Sequence, residues 1–384
     1  MSPATGGIAR TFTKDLLINP TTRGTKDIIH SVTAVASSSS KSSAEKFISD
    51  IVTTKQEARC AAYGSYKELA QDSNVDIIYV ATPHSHHFQN CMLVLENNKA
   101  ILCEKSLTVN AAQTKILYAE AKKRNLFFME AVWTRYFPLS IKVRETIQKG
   151  RIGEVLRVHS DLSVGEVPEE AFDVSHRMIN KDLAGGALLD LGIYALTWQF
   201  QTVYHTLPKE KRKAPKVVGT IMTLEPRTGA DESTTMLLDF PVSTPTGSSH
   251  THGIATTAMR VHFDHQRDQP DATPAVRVYG DKGEIQVFGP IYRPSRMRVI
   301  YKDKNIPADD RTFEFPGGGH GMFWEADEAA RCFIAGKLES DGLDWEESTI
   351  IMETMDEVRR QGGLKYPEAI ESTEYPIDLK SKGM

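Results

Sequence analysis

Between residues 8 and 130 the chain alternates helical segments with short apolar runs, and that alternation limits the fold more than any other feature. Ile8–Leu17, Ser43–Ile51, Phe88–Asn97 and Ala111–Arg124 read as helices, the first closed by Asn19-Pro20. His30–Ala36, Val75–Ala81, Ala100–Cys103 and Leu126–Glu130 read as strands, and Val75–Ala81 ends at Thr82-Pro83. Short apolar runs bounded by turn residues are strands buried on both faces. Strands separated by helices pair in parallel, so this part is expected to form a doubly wound parallel sheet.

After Trp133 the pattern changes. A helix over Leu139–Gln148 leads to an alternating strand, Val155–Leu162, and Gly185-Gly186 precede a helix from Ala187 to about Phe200. Lys216–Leu224, Ser233–Phe240, Ala258–Phe263 and Ala275–Tyr279 then follow one another as strands without helices between them. Gly280-Asp281-Lys282-Gly283 joins Tyr279 to Glu284–Phe288 as a hairpin. Such a succession predicts a large, open, mainly antiparallel sheet, with the polar stretch Val242–Thr257 as a loop or insertion. Trp324–Gly336 and Glu346–Gly362 read as helices, and no internal repeat is visible. The expected architecture is α/β, dividing at about residue 133 into a doubly wound parallel part over 1–133 and an open-sheet part over 134–384.

The composition narrows the classes of function. A net charge of −4 over 384 residues gives no basic face for nucleic acid or a membrane surface. No run approaches the roughly 20 apolar residues of a membrane span, and the first residues lack the pattern of a signal peptide. Cys60, Cys91, Cys103 and Cys332 show no paired spacing, which fits reduced thiols and a cytoplasmic location.

Ala4–Ala9 reads A-T-G-G-I-A, and a helix follows it. A glycine turn between strand and helix holds a pyrophosphate on the helix N-terminus. Thr5, Gly6, Gly7 and Ile8 are therefore candidate cofactor contacts. Only Met1, Ser2 and Pro3 stand before the turn, so the sheet is expected to lack its first strand. That omission would leave a gap about one strand wide, ~4.8 Å.

Several phrases occur in order: the glycine turn, Thr82-Pro83-His84, Glu104-Lys105, Glu130-Ala131-Val132-Trp133-Thr134-Arg135, Gly185-Gly186-Ala187-Leu188-Leu189-Asp190-Leu191-Gly192-Ile193-Tyr194, Gly321-Met322-Phe323-Trp324-Glu325-Ala326-Asp327 and Gly362-Gly363-Leu364-Lys365-Tyr366-Pro367. Together they make the chain resemble the glucose-fructose oxidoreductase/inositol dehydrogenase superfamily over nearly its whole length. Within it, the branch of dimeric dihydrodiol dehydrogenases and fungal NADP-dependent D-xylose 1-dehydrogenases is most similar. The resemblance implies a Rossmann domain followed by an α/β domain whose open sheet forms a homodimer interface.

Lys105 follows an apolar strand and so sits at the carboxyl end of a parallel sheet, where α/β folds bind ligands. Pattern alone favours an exposed lysine paired with Glu104. The resemblance places Glu104-Lys105 on the family's Glu-Lys-Pro signature, with Lys105 near the reacting carbon and the cofactor ribose; Ser106 replaces the proline here. Asp190 and Tyr194 are four apart, hence on one helix face, and without the resemblance they read as a half-buried tyrosine and a first-turn acid. The resemblance makes Tyr194 the proton-transfer residue and lets Asp190 orient Lys105 or a substrate hydroxyl. A phenol titrates near 10 in isolation, and a nearby ammonium favours the phenolate.

The same resemblance sets Trp133 and Arg135 beside the nicotinamide and the substrate pocket, where packing between domains is the other reading. His176 and Arg177 are further candidates to approach that pocket. His84-Ser85-His86-His87 invites a zinc site, but no cysteine or carboxylate stands at a companion spacing, so no metal is expected. The resemblance instead assigns Thr82, His84 and His87 to the cofactor's edge. Ser37-Ser38-Ser39-Ser40-Lys41 carries no acid at the place where NAD enzymes hold the ribose hydroxyls. Ser37, Ser38 and Lys41 fit a 2′-phosphate, which favours NADP. The expected reaction moves a hydride between NADP and a hydroxyl carbon of a cyclic sugar or diol, with D-xylose C1 or a trans-dihydrodiol as the substrate. The missing first strand motivates an alternative: a cofactor-independent cyclase, isomerase or lyase acting on a pathway intermediate through Lys105 and Tyr194.

Overall fold

The structure is a computed structural model and describes residues 6–244, 247–264 and 271–379. The chain divides into two compact units: Met1–Trp133 with Phe315–Ser348 and Glu368–Met384, and Thr134–Glu314 with Thr349–Pro367.

The first unit alternates helix and strand: α1 (Gly7–Leu16), β1 (Ala34–Ala36), α2 (Lys41–Phe47), β2 (Ala61–Tyr63), α3 (Tyr66–Ala70), β3 (Ile77–Val80), α4 (His84–Glu96), β4 (Ala100–Glu104), α5 (Ala111–Arg124) and β5 (Phe128–Ala131). Local chemistry sets the ends. Ser65 and Glu68 form a capping box on α3. Asn110 caps α5, and Asn125 closes it in the left-handed conformation after Lys122, Lys123 and Arg124. A π-turn over Ile48–Val52 extends α2.

All strand pairs in this unit are parallel, but they fall into two sheets: β1 with β2, and β3-β4-β5. Every residue of β4 is buried, in keeping with its central place in its sheet. Ile78, Val80, Phe88, Val94, Ile101 and Leu117 share one core, and Ala9, Val35, Phe47, Ile51 and Val52 share another. Among the described residues no strand precedes α1. β2 has no counterpart in the sequence reading, because a three-residue Ala-Ala-Tyr strand carries almost no periodic signal.

The second unit contains α6 (Pro138–Gln148), β6 (Val155–Ser163), α7 (Pro168–Ala171), a π-turn over Leu188–Gly192, α8 (Ile193–Thr202), β7 (Lys216–Leu224), β8 (Asp231–Thr244), β9 (Gly247–Ala258), β10 (Pro274–Gly280), β11 (Gly283–Phe288), β12 (Arg296–Tyr301) and β13 (Asp309–Thr312). One eight-stranded sheet runs β13-β12-β11-β10-β6-β9-β8-β7. Only the β6–β9 pair is parallel. The buried helix α8 lies against it: Gln199 Nε2 donates to Val158 O and Ile254 O, and Ser160 Oγ donates to Ala195 O.

The strand expected at Ala258–Phe263 is displaced, and the expected loop Val242–Thr257 contains β9 instead. The buried positions of β9 are Thr251, Gly253, Ala255, Thr257 and Ala258, small residues that give no apolar alternation. A Cβ on Gly253 would come within 2.6 Å of Gln199 Oε1. The charged strands β12 and β13 likewise escaped an apolar pattern search.

The chain ends with α9 (Phe323–Ile334), α10 (Trp345–Gly362) and α11 (Glu368–Glu371). Within the first unit, the buried Asp15 on α1 accepts backbone N–H bonds from His320, Gly321 and Met322 at 2.8–2.9 Å. Asp327 on α9 accepts from Arg23, Thr25 and His30.

Candidate active site

Gly6 is the N-cap of α1, in extended conformation at φ −67° and ψ 165°. Among the described residues no side chain caps this helix, and its first turn holds no acid. A Cβ on Gly7 would meet nothing within 4 Å. The first amides of α1 are thus open to an anion, as a pyrophosphate requires. Ile8 is exposed beside them, and Thr5 lies outside the described residues.

At the carboxyl end of β1 the serines form a chain of hydroxyls. Ser37 Oγ lies 2.8 Å from Ser39 Oγ, Ser39 Oγ donates to Ser43 Oγ, and Ser40 Oγ caps α2 by accepting from Ser43 N. The Tyr66 hydroxyl bonds to Ser38. Lys41 is exposed at the first position of α2. Polar hydroxyls and one ammonium, with no carboxylate in the run, suit the phosphate of NADP better than the free ribose hydroxyls of NAD.

Glu104 ends β4 and is buried; it accepts a short hydrogen bond from the Tyr79 hydroxyl and one from the Lys105 amide at 3.3 Å. Burial first, and the Glu104 charge second, push the Tyr79 phenol well above its ordinary range. Lys105 follows, half-buried, joined to Ser106 by a cis peptide bond.

The imidazoles of α4 go separate ways. His84 Nε2 meets Lys105 O at 3.1 Å, and His86 Nδ1 meets Ser85 Oγ at 2.8 Å. His87 Nε2 meets Thr82 O at 2.8 Å, while its Nδ1 faces Ser106 O and Leu107 O at 3.1 Å. Burial lowers the His87 pKa against the pull of these carbonyls. His84 and His87 therefore brace the Lys105–Leu107 turn, and the Thr82 hydroxyl is taken by Asn90 Nδ2. Trp133 is buried at the end of the first unit.

In the second unit Gly185 and Gly186 fit where no side chain would. A Cβ on Gly185 would lie 2.6 Å from Arg177 O, and one on Gly186, at φ +136°, would lie 2.0 Å from Asp231 Oδ1. Asp231 Oδ2 accepts from the Leu188 amide at 2.7 Å, fixing the start of the π-turn. That turn carries Asp190, whose carboxylate takes Arg177 Nη1 at 3.1 Å. Tyr194 follows on α8, with its ring 5.8 Å from that of Tyr292. His176 is exposed and stacks on Phe172 at 4.8 Å; burial and Arg177 lower its pKa. Arg135 is fully buried, bonded through Nη2 to His205 Nδ1 at 3.0 Å, and its carbonyl accepts from Arg144.

Within the first unit the structure joins the start of α4 to the turn after β4; within the second it joins Arg177 to Asp190, which stands four residues before Tyr194. Sequence reasoning did not find Tyr66, Tyr292 or Asp231. The Gly-Gly pair is the one trace of Asp231, since it implies something bulky against the backbone.

Residues 5–132 match the oxidoreductase family with an NAD-binding Rossmann fold, and residues 140–286 match the GFO/IDH/MocA C-terminal domain. The chain is 53% identical over 383 residues to the NADP(+)-dependent D-xylose 1-dehydrogenase of Hypocrea jecorina, covering 97% of this chain and 94% of the relative. It is 33% identical over 311 residues to the trans-1,2-dihydrobenzene-1,2-diol dehydrogenase of Homo sapiens, covering 80% and 83%. Among solved structures, a 3-ketoreductase from Actinomadura kijaniata in complex with NADP and TDP-benzene superposes with a TM-score of 0.70 at 21% identity, covering 93% of this chain and 95% of that one. An aldose-aldose oxidoreductase from Caulobacter crescentus complexed with glycerol gives 0.71 at 18%, with the same coverage, and both share the fold. The open glycine turn, the hydroxyl-rich β1 end and the matches to both domains lead to one conclusion: the chain belongs to the GFO/IDH/MocA family of NAD-binding Rossmann-fold oxidoreductases.

Proposed function

We propose that the protein is an NADP-dependent dehydrogenase that oxidises D-xylose, or an aldose close to it, at C1. The observation that carries this reading is 53% identity, over nearly the whole chain, to an NADP-dependent D-xylose 1-dehydrogenase. When bound, the cofactor supplies the nicotinamide that accepts the hydride.

The chain's own residues have separable tasks. The amides at Gly7 and Ile8 hold the pyrophosphate, and Ser37, Ser38 and Lys41 hold the 2′-phosphate. Lys105, braced through its carbonyl by His84, is the cation of the site. Tyr194 takes the proton from the sugar hydroxyl. Asp190 and Arg177 act as a pair, one accepting from and one donating to sugar hydroxyls. Trp133 shields the nicotinamide. Arg135 and His87 have polar atoms engaged by protein partners and each holds its own segment in place.

Functional domains over 1–133 and 134–384 and a cytoplasmic location complete the reading; no helix among the described residues is long and apolar enough to cross a membrane. Homodimerisation uses the open sheet. Val218 and Ile221 on β7 and Leu237 on β8 are 54%, 73% and 41% exposed, an apolar row suited to a second copy.

The test is to mix protein, NADP and D-xylose and follow reduced-cofactor absorbance. Growth with D-xylose exceeding that with other aldoses and trans-dihydrodiols is expected. NADP binding without turnover of any of them would sink the substrate assignment, and absence of NADP binding would favour cofactor-independent acid–base chemistry.

A further inference from the structure

We infer that Glu130 is a positioning residue for Lys105: its buried carboxylate holds, from the end of β5, the turn that carries the lysine. The inference rests on the proposed role of Lys105 as the cation of the site. Cys103 pairs with Glu130 across the β4–β5 ladder, so the chain leaving β4 at Glu104 passes the end of β5. There Glu130 Oε1 accepts from the Leu107 amide at 3.0 Å, two residues beyond Lys105. The carbonyls of the same turn are taken by α4: His84 Nε2 meets Lys105 O, and His87 Nδ1 meets Ser106 O and Leu107 O. Residues 105–107 lie outside any helix or strand. Side chains from two elements thus do for this backbone what a ladder does elsewhere.

The carboxylate is itself oriented. Its second oxygen, Oε2, accepts a short hydrogen bond from Ser348 Oγ in the first turn of α10, and Ser348 Oγ accepts from the Tyr118 hydroxyl at 2.9 Å. Glu130, Ser348, Tyr118 and Leu107 are all buried. Burial first, and the Glu130 charge second, push the Tyr118 phenol well above its ordinary range, so it keeps its proton and donates. Every hydrogen in the run points toward Glu130: Tyr118 to Ser348, Ser348 to Oε2, and the Leu107 amide to Oε1. That polarity calls for a group that accepts at both ends, which an ionised carboxylate does and an amide does not. A glutamine oxygen can still take the Leu107 amide, but its NH2 then faces Ser348 Oγ and strands the serine hydrogen. Glutamine therefore keeps the grip on the turn and weakens the outer anchor, whereas alanine releases both and leaves two buried donors without acceptors.

Three variants of the full chain separate positioning from stability: Glu130→Ala, Glu130→Gln and Trp345→Phe. The last removes the bond from Trp345 Nε1 to Phe128 O at 2.8 Å, on the same strand β5, and leaves the turn untouched. Each is assayed with NADP and D-xylose, and amide hydrogen exchange is measured across residues 105–107. Glu130→Ala is expected to lower kcat by about 10–100-fold, the scale of a misplaced catalytic group, with the KM for D-xylose within twofold and exchange at Leu107 at least tenfold faster. Glu130→Gln should bring both kcat and exchange within threefold of the parent. Trp345→Phe should leave both at parent values however far its melting temperature falls. Parent-like kcat or exchange in Glu130→Ala, a Glu130→Gln protein as impaired as Glu130→Ala, or an equal loss in Trp345→Phe would overturn the inference. A parent that oxidises no aldose defeats the proposed function instead, and the exchange measurement then decides whether Glu130 holds the turn. If Glu130→Ala fails to fold, Ser348→Ala takes its place: it frees the outer carboxylate oxygen and should speed Leu107 exchange at least threefold, and unchanged exchange there overturns the inference.

Discussion

Replacing Gly186 with alanine tests the packing beneath the Asp190–Tyr194 segment. The backbone there has φ +136°, and an ideal Cβ falls 2.0 Å from Asp231 Oδ1, 3.1 Å from its Cγ and 3.4 Å from its amide nitrogen. A side chain in that region of backbone space costs about 1–3 kcal/mol. The clash displaces a fully buried carboxylate that accepts from the Leu188 amide at 2.7 Å and from the Thr234 hydroxyl at 3.1 Å. Burial raises the Asp231 pKa to about 6, so at pH 8 the group is charged and its lost hydrogen bond is worth about 1.5–3 kcal/mol. The two effects together predict destabilisation of about 2.5–6 kcal/mol, read from chemical denaturation at pH 8. In a double-mutant cycle, adding Asp231→Ala removes the colliding atoms, so the two changes should couple by at least about 1 kcal/mol. A Gly186→Ala protein within about 0.5 kcal/mol of the parent, or strictly additive effects, would refute the reasoning.

If Tyr194 takes the substrate proton as proposed, Tyr194→Phe should lower kcat by about 10²–10⁴-fold, while NADP affinity by fluorescence titration stays within twofold. Ser38→Asp places a carboxylate at the β1 end and should raise the KM for NADP at least tenfold while leaving that for NAD unchanged in steady-state assays. Asp327→Ala strands the Arg23 guanidinium, whose side chain is 1% exposed, and should cost about 3–5 kcal/mol in urea melts. Burial works against ionisation of Asp327, but hydrogen bonds from Arg23, His30 and Thr25 outweigh it and hold the carboxyl well below its usual range. Its folded pKa is depressed, so its contribution is complete above the unfolded value near pH 4 and is lost as pH falls below that. The gap between parent and Asp327→Ala stability curves should accordingly narrow below pH 4; a gap that widens there contradicts the assignment.

Much of the fold was legible because its signals are local. The apolar runs at Val75–Ala81 and Ala100–Cys103 coincide with β3 and β4, and Ala111–Arg124 matches α5 to the residue, since Asn110 and Asn125 mark its ends. β9 was not legible, because its burial is decided by how closely α8 approaches and not by its own hydrophobicity. The ordered phrases singled out Lys105, Asp190 and Tyr194. They could not show that His84 and His87 turn their rings onto the carbonyls of residues 105–107, nor that Arg135 is enclosed by His205, since these contacts join residues about 20 to 70 positions apart.

The first unit is assembled from three stretches of chain, the last of them close to the C-terminus. Gln113 Nε2 donates to Ile370 O and Ser372 O, and Gln89 Oε1 accepts from Ile377 N. Arg23 waits for Asp327, and Asp15 for the amides of 320–322. On a ribosome adding roughly 5–20 residues per second, residue 377 follows residue 133 by about 12–50 s. Through that interval the nascent nucleotide-binding half holds buried-type acids and amides without their partners. The second unit, by contrast, can close its sheet as soon as Thr312 emerges. Vectorial synthesis therefore reverses the order of the chain: the half made first is completed last, and the nascent first half is the stretch that needs shelter from chaperones.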